Sequence, residues 1–448
     1  MDWREEYKSK LVSLEEAARE IKSGERVSIP VGTEPAELIK ALFARHDELK
    51  DVTVNPVAAS TDPGWFDAGC EDVFKIDFIN YVGGIGRRAT DAKRATFSPD
   101  VHHLMWKNYG EERREDLRKD LDVLLIKVTP PNEKGYVSIG SSLRWKQLHA
   151  KRAKKVIVQV DENLPWCFGN TFLHVSQVHR FVEVDYPYLT EEDAHKMLDE
   201  AIADPALRER IRPLVPEIPQ WMRSNLFNTF KEYIETMPPE VLDGVLSWAL
   251  RVLGVEEPTE VERNIWGYVA TLIDDGDCIQ VGVGTSSAYC ARTGVLDNKV
   301  DLGYHSEMTA RGMAKYIEAG VINGKRKNFM TGKAIASAWE GASWPDLQII
   351  NQNPKFEQYD PTWTEDPRVV SQNDNFIALQ NAVCIDFTGQ VNAETGLGGR
   401  LINGLGGQLD IILGALLSKG GRSIHMIRST ALGGASPPSS PSLSRAWW

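Results

Sequence analysis

Two periods of apolar and polar positions alternate along the chain. Residues 10–22, K-L-V-S-L-E-E-A-A-R-E-I-K, carry apolar side chains at helical spacing, and Ser13 with Glu16 has the spacing of a capping box. The stretch S-G-E-R-V-S-I-P-V-G-T that follows predicts a turn, a strand and a glycine-ended loop, and Glu34–Ala44 is helical again. V-T-V at 52–54 predicts a second strand. Further strands are expected at Phe78–Val82, Val123–Val128, Val156–Val160 and Phe181–Val184, mostly as short β-branched runs of the buried kind. The G-G-I-G at 83–86 reads as an ordinary tight turn after a strand. Strands alternating with helical segments define an α/β layer fold.

The pattern then repeats. I-K-S-G-E-R-V-S-I-P-V-G-T (21–33) lines up without a gap against I-D-D-G-D-C-I-Q-V-G-V-G-T (273–285), an offset of 252. G-Y-V-S (135–138) matches G-Q-V-N (389–392) at an offset of 254, and A-K-K-V-I-V-Q-V (153–160) resembles G-G-R-S-I-H-M-I (420–427). Three matches in one order predict two copies of one α/β domain, at 1–187 and 262–448, with a site shared between them. The intervening 188–261 is rich in Glu, Leu, Ala and Arg and punctuated by Pro, which predicts short helices in an insertion or lid. Its Trp221 and Trp248, and Trp266 beyond it, read as core residues. From about residue 435 the chain is a low-complexity Ser/Pro tail, S-P-P-S-S-P-S-L-S-R-A-W-W at its end, where the first copy has a loop and a strand. The expectation is a truncated or frame-shifted end to the second copy.

Composition narrows the classes. A formal charge of −12 over 448 residues argues against nucleic acid or an anionic membrane as the main partner. The N-terminus M-D-W-R-E-E-Y-K-S-K lacks the apolar core of a signal peptide, and no apolar run approaches the ~20 residues of a membrane helix. Five scattered cysteines without C-x-x-C spacing indicate neither zinc nor a disulfide framework, which together predicts a cytoplasmic protein with no metal.

Candidate chemistry centres on D-L-G-Y-H-S-E-M-T-A-R-G-M (301–313). Its G-Y-H-S-E part reads as a loop between the strand-turn-helix unit Ile279–Ala288 and a helical run, Met308–Ala319. By itself Glu307 reads as a helix-opening acid after a Ser306 cap. The other reading is a carboxylate carried toward a cleft as a nucleophile. The basic run 151–155, K-R-A-K-K, is a phosphate candidate, but basic residues at a helix end before a strand are commonly a solvated, dipole-compatible face.

Four motifs then carry a family resemblance: V-T-P-P-N-E-K-G-Y-V-S-I-G (128–140), L-G-Y-H-S-E-M (302–308), G-Q-V-N-A-E-T (389–395) and N-G-L-G-G-Q-L-D (403–410). With these the sequence resembles the acetyl-CoA hydrolase/4-hydroxybutyrate CoA-transferase family over nearly the whole chain apart from the insert and tail. The resemblance implies two repeated CoA-transferase-type α/β domains with an acyl-CoA site between them. It places the catalytic carboxylate on Glu307 and an oxyanion and CoA-binding loop on Gly406, Gly407 and Gln408. It also sets Gly282 and Gly284 beside CoA. Asn392 and Glu394 fall near the site or stabilise a turn, and His305 orients Glu307 or is structural.

No permanently bound cofactor is implied; coenzyme A enters as substrate with a short-chain carboxylate, in a homo-oligomer. The chain departs from the family at Thr285-Ser286-Ser287, where many relatives have proline, and at Glu365-Asp366-Pro367, where many have Asn-His-Pro. An ionised acid cannot donate as an amide does, and a register shift would bring Asn373 in instead. A dehydrogenase reading fails, since no G-x-G-x-x-G opens a helix with an acid ~20 residues on. A hydrolase would use the same site, and an inactive truncated remnant is the non-catalytic alternative.

Overall fold

The computed structural model describes the chain except residues 1, 58, 80–83, 108–119, 187, 224–245, 247–249, 251–254, 283, 285, 397–400 and 430–448. The Ser/Pro tail, Trp248, Gly83 and Thr285 therefore lie outside the described residues. Two seven-stranded sheets organise the rest. The first runs, edge to edge, Arg180–Glu183, Lys155–Val160, Val123–Val128, Arg26–Ile29, Val52–Pro56, Phe74–Ile79 and Ala95–Ser98. The second runs Arg422–Met426, Phe376–Asn381, Cys278–Val281, Gly303–Ser306, Ala334–Ala336, Phe356–Gln358 and Phe168–Gly169. Neighbours pair in parallel throughout both sheets. Parallel strands are covered on both faces, which is why Val123–Val128 is buried at every position.

The internal repeat is a repeat of topology. Arg26–Ile29 and Cys278–Val281 each sit fourth and third from the edge formed by the last long strands of their halves, with equivalent neighbours on either side. The turn glycines Gly24 and Gly276 both take positive φ, as do Gly32 and Gly284. Among the described residues the two sheets differ at their edges. No strand equivalent to Arg180–Glu183 borders Arg422–Met426 among the described residues. At the far edge the second sheet receives Phe168–Gly169 from the first half, pairing with Glu357 and Gln358. Gly169 has φ +102, and a Cβ there would lie 2.6 Å from the Gln358 nitrogen and closer still to its carbonyl oxygen, so only glycine fits. Buried Gln358 adds a second tie, donating Nε2–H to the Gly140 carbonyl at 2.9 Å.

Local structure follows the pattern in places and corrects it in others. The Ser13–Glu16 capping box is present, opening the helix Leu14–Arg19, and a separate helix Trp3–Lys10 precedes it. Residues 84–86 of G-G-I-G are not a turn; they open the helix Gly84–Asp91. Glycine is a poor helix interior residue but is tolerated at a helix start, where backbone donors have no intrahelical partner. Gly303–Ser306 is a buried strand rather than a loop, because a central parallel strand shows no polar face to alternate with. The helix expected over Met308–Ala319 begins only at Met313, since Gly312 sits at φ +81 and breaks the run. Glu307 accordingly does not open a helix.

Between residues 188 and 261 the described residues include the helices Glu191–Ala201 and Pro205–Ile211 and a tighter turn Arg212–Glu217. They pack on a small core of Leu198, Ile211, Leu214 and Ile218. Trp221 and Trp266 are buried with the second half's core. Within the basic run, Lys154 pairs with Asp122 and Lys155 with Glu25, so these two charges are compensated by acids.

Candidate active site

The strand Gly303–Ser306 ends at Glu307, whose backbone carbonyl accepts from the Ser337 and Ala338 amides at 2.9 and 3.1 Å. With its main chain so fixed, the side chain leaves the sheet edge with 18% of its surface exposed. One oxygen, Oε1, accepts from Arg144 Nη1 at 3.0 Å, and Oε2 accepts from the Gly407 amide at 3.2 Å. A cation and a backbone donor from distant segments thus grip one carboxylate while leaving it reachable.

Arg144 reaches the site from a residue at φ +46, where L side chains are uncommon, and it is buried. Its Nη2 donates to Glu340 Oε2 at 2.9 Å, and Ser142 also donates to Glu340. Burial works against the guanidinium charge, but the Glu340 and Glu307 carboxylates outweigh it and hold Arg144 above its ordinary value. Glu340 is likewise penalised by burial, yet Arg144 holds it below the usual carboxylate range. Behind them Lys146 is fully enclosed, donating to the Gly32 and Ser142 carbonyls and to Thr33, and burial lowers it to about 7.

On the other side lies a second carboxyl. Glu365 is fully buried; Ser337 donates to its Oε1 at 2.6 Å, and His102 Nδ1 lies 2.5 Å from its Oε2. That same Nδ1 is 3.7 Å from Glu307 Oε1. The imidazole is fixed edge-on against Trp145 at 4.6 Å between ring centres, and Trp145 Nε1 donates to the His102 carbonyl. Burial raises Glu365, while for His102 burial is outweighed by the Glu365 carboxylate, which raises it. One atom each from His102, Glu307 and Glu365 lies within 4.8 Å of the others, a grouping of a size to hold a metal ion. Arg144 already supplies Glu307's cationic partner, so the donor set does not call for one.

The residues expected from sequence divide clearly. Gly407 meets Glu307 directly, and a Cβ on it would lie 2.8 Å from Glu307 Oε2 and closer still to Glu365 Oε2. Gly406 shapes the turn at φ +60. Gln408 opens the helix Gln408–Leu417 and donates Nε2–H to the Asn381 carbonyl at 3.2 Å. Asn381 also donates to Ser287 at 2.6 Å and crowds Gly284, so it ties the 406–408 loop to the 282–287 loop. Gly282 donates to the Leu379 carbonyl.

His305, by contrast, faces away: Nε2 meets the Thr364 carbonyl at 2.7 Å and the ring lies between Trp363 and Phe376. Burial lowers it to about 3, so it is neutral. Asn392 accepts from the Glu394 and Thr395 amides at 3.1 Å, an Asx turn, and the Glu394 carbonyl accepts from Ile402 and Asn403. Asn373 does not enter the site; it accepts from the Phe329 amide, while Glu365 stands beside Glu307.

Sequence reasoning did not find His102, Arg144 or Glu340. Arg144 and Glu307 are 163 positions apart, and His102 and Glu365 are 263 apart, so no local spacing could join them. Only the departure at Glu365 gave a signal.

An α/β scaffold of two parallel sheets, closing on a gripped but reachable carboxylate between glycine-rich loops, defines an enzyme of the acyl-transfer class. The chain matches the acetyl-CoA hydrolase/transferase N-terminal domain over residues 1–199 and the C-terminal domain of the same family over 347–444. It belongs to that family. It is 31% identical over 433 residues to the 4-hydroxybutyrate coenzyme A transferase of Clostridium kluyveri, covering 96% of this chain and 84% of that protein. Against the succinyl-CoA:cyclohexane-1-carboxylate CoA transferase of Geobacter metallireducens, identity is 28%, covering 96% and 82%. The crystal structure of RipA from Yersinia pestis shares the fold with a TM-score of 0.73 at 24% identity, covering 98% of this chain and 86% of that one. No helix among the described residues is long and apolar enough to cross a membrane.

Proposed function

We propose that the chain is an acyl-CoA:carboxylate CoA-transferase working through a covalent glutamyl-CoA thioester on Glu307. The observation that carries this reading is the grip on Glu307: Arg144 at 3.0 Å and the Gly407 amide at 3.2 Å aim a partly exposed carboxylate from two loops. Glu307 attacks the acyl thioester carbonyl, the C–S bond breaks, and a mixed anhydride and CoA thiolate form. The thiolate then attacks the Glu307 carbonyl and expels the donor acid as its carboxylate. An acceptor carboxylate attacks the glutamyl thioester and the same steps run in reverse. Each addition places negative charge on a former carbonyl oxygen beside Gly407 and Arg144, where a fixed donor and a buried cation favour it. Binding energy from the remote parts of CoA, between the 282–287 and 406–408 loops, is then available to the reacting end. Small carboxylic acids are the acceptor class that fits relatives named for 4-hydroxybutyrate and cyclohexane-1-carboxylate.

The test is incubation with an acyl-CoA, trapping with borohydride or hydroxylamine, and peptide mass mapping. Modification at Glu307, absent in Glu307→Gln, is the expected result, with exchange in that variant reduced by at least ~1,000-fold. Turnover with no modification, or modification at another residue, overturns the assignment.

A further inference from the structure

The Gly407 amide has a single proton to give, and its own helix carries a rival acceptor. An acid three residues inside a helix ordinarily turns back and accepts from the amide at the helix start. The chain uses that arrangement elsewhere. Asp193 accepts from the Thr190 amide at 3.0 Å, Asp346 from Ser343 at 3.1 Å and Glu16 from Ser13 at 2.9 Å. Gly407 and Asp410 stand at the same spacing, and the Gly407 carbonyl accepts the first bond of the helix from Ile411 at 3.0 Å. Here the pairing is broken. The Gly407 amide donates to Glu307 Oε2 at 3.2 Å, and Asp410 turns to another segment.

What holds Asp410 lies in the first half of the chain, 307 positions away. Its Oδ2 accepts from the His103 amide at 3.0 Å, and its Oδ1 meets His103 Nδ1 at 2.9 Å. The Asp410 side chain is 1% exposed and the His103 side chain 17%. His103 directly follows His102, so neighbouring rings engage Asp410 and Glu365. A buried carboxylate oxygen left without a donor is costly. An Asp410 released by the imidazole would therefore claim the helix-start amide, as Asp193 and Asp346 do in their own helices.

We propose that His103 is a positioning residue: by holding Asp410 it reserves the Gly407 amide for Glu307. The inference rests on the reading of Glu307 as the nucleophile. It gives His103 no contact with substrate and no proton transfer. Its influence reaches the reacting carboxylate through Asp410 and one backbone donor, whose loss at an acyl-transfer site costs on the order of 100-fold in rate.

The test is an order of rates that simple loss of a contact would not produce. The assay is exchange of labelled carboxylate into acyl-CoA. His103→Ala frees Asp410 Oδ1, and kcat is expected to fall about 100-fold while KM for acyl-CoA stays within about threefold. His103→Asn, whose side-chain amide can donate in place of Nδ1, should recover most of that loss. Asp410→Ala removes the rival acceptor and should stay within about fivefold of the parent. The double variant should exchange at the Asp410→Ala rate, so that the second substitution restores what the first removed. A double variant as slow as His103→Ala, or slower, makes the contact merely structural and overturns the proposal. So does His103→Ala exchanging within about threefold of the parent. Should His103→Ala not fold, Asp410→Glu reads the same competition, since it keeps the charge on a longer arm suited to the helix-start amide. It must exchange more slowly than Asp410→Ala; an equal or faster rate overturns the proposal. Borohydride trapping on the parent separates the two readings. Turnover with no Glu307 adduct sinks the nucleophile and this inference with it, whereas an adduct beside the wrong order of rates sinks this inference alone.

Discussion

Replacing Gly407 by alanine is the sharpest probe of the site, because one methyl group is aimed at both carboxyls. The backbone there has φ −88 and ψ 5, a conformation alanine adopts, so no main-chain strain confuses the result. The new Cβ would sit 2.8 Å from Glu307 Oε2 and 3.0 Å from its Cδ, with Glu365 Oε2 nearer still. Ordinary contact between such atoms needs ~3.5 Å, so one or both carboxyls must retreat by about 1 Å. A misplacement of ~1 Å at a reacting centre costs on the order of 100-fold in rate, equivalent to about 2.7 kcal/mol of barrier. Crowding a close-packed region should also lower stability by about 1–3 kcal/mol. The assay is exchange of labelled short-chain carboxylate into acyl-CoA, run beside urea denaturation. Gly406→Ala provides the contrast: φ +60 imposes about 1–2 kcal/mol of backbone strain, but its Cβ meets only the Gln408 nitrogen, at 4.0 Å. The ratio of rate loss to stability loss should therefore be far larger at 407 than at 406. A folded Gly407→Ala protein exchanging within threefold of the parent rate would refute the account of the site.

Other outcomes follow from the same geometry. Arg144→Lys keeps a charge but loses the fork that spans Glu307 and Glu340 at 3.0 and 2.9 Å; exchange should fall ~100-fold, checked by kcat with saturating acyl-CoA. Gly169→Ala places a methyl on the Gln358 backbone at a positive φ and should destabilise the protein by about 2–4 kcal/mol, read by thermal or urea unfolding. Asp360 is enclosed, and burial raises it to about 6 from an ordinary 3.8. Its folded form binds the proton more tightly than the unfolded chain does. Stability from this group is therefore fully present below about pH 4 and is lost as pH rises toward 6, by at most about 3 kcal/mol. Asp360→Asn should flatten that part of the stability–pH curve, and an unchanged slope would contradict the assignment.

How much of this was legible in the sequence depends on the distance over which each feature is encoded. The Ser13–Glu16 box and the strand at Val123–Val128 are local, and both stand where the pattern puts them. The repeat at an offset of 252 is a long-range feature, yet it survives because both copies keep the same turn glycine and strand. Gly303–Ser306 misled because its residues are polar or small while its position is central, so burial was not written as hydrophobicity. The site was half legible. Glu307 and Gly407 lie in two of the motifs that carry the family resemblance, and the fold brings them together at 3.2 Å. His102, Arg144 and Glu340 draw their meaning only from which segments the two sheets bring together, and no spacing along the chain carries that information. Glu365 was visible only as an anomaly.

The Phe168–Gly169 strand has a mechanical consequence. Because it threads into the far margin of the opposite sheet, the two repeats are stitched by main chain as well as abutted at the cleft. Opening the cleft by swinging one half against the other would tear that seam. A long thioester substrate must then reach Glu307 with the seam in place. Cutting the gene at the midpoint would not yield two working modules, for one fragment would carry off the other's hem.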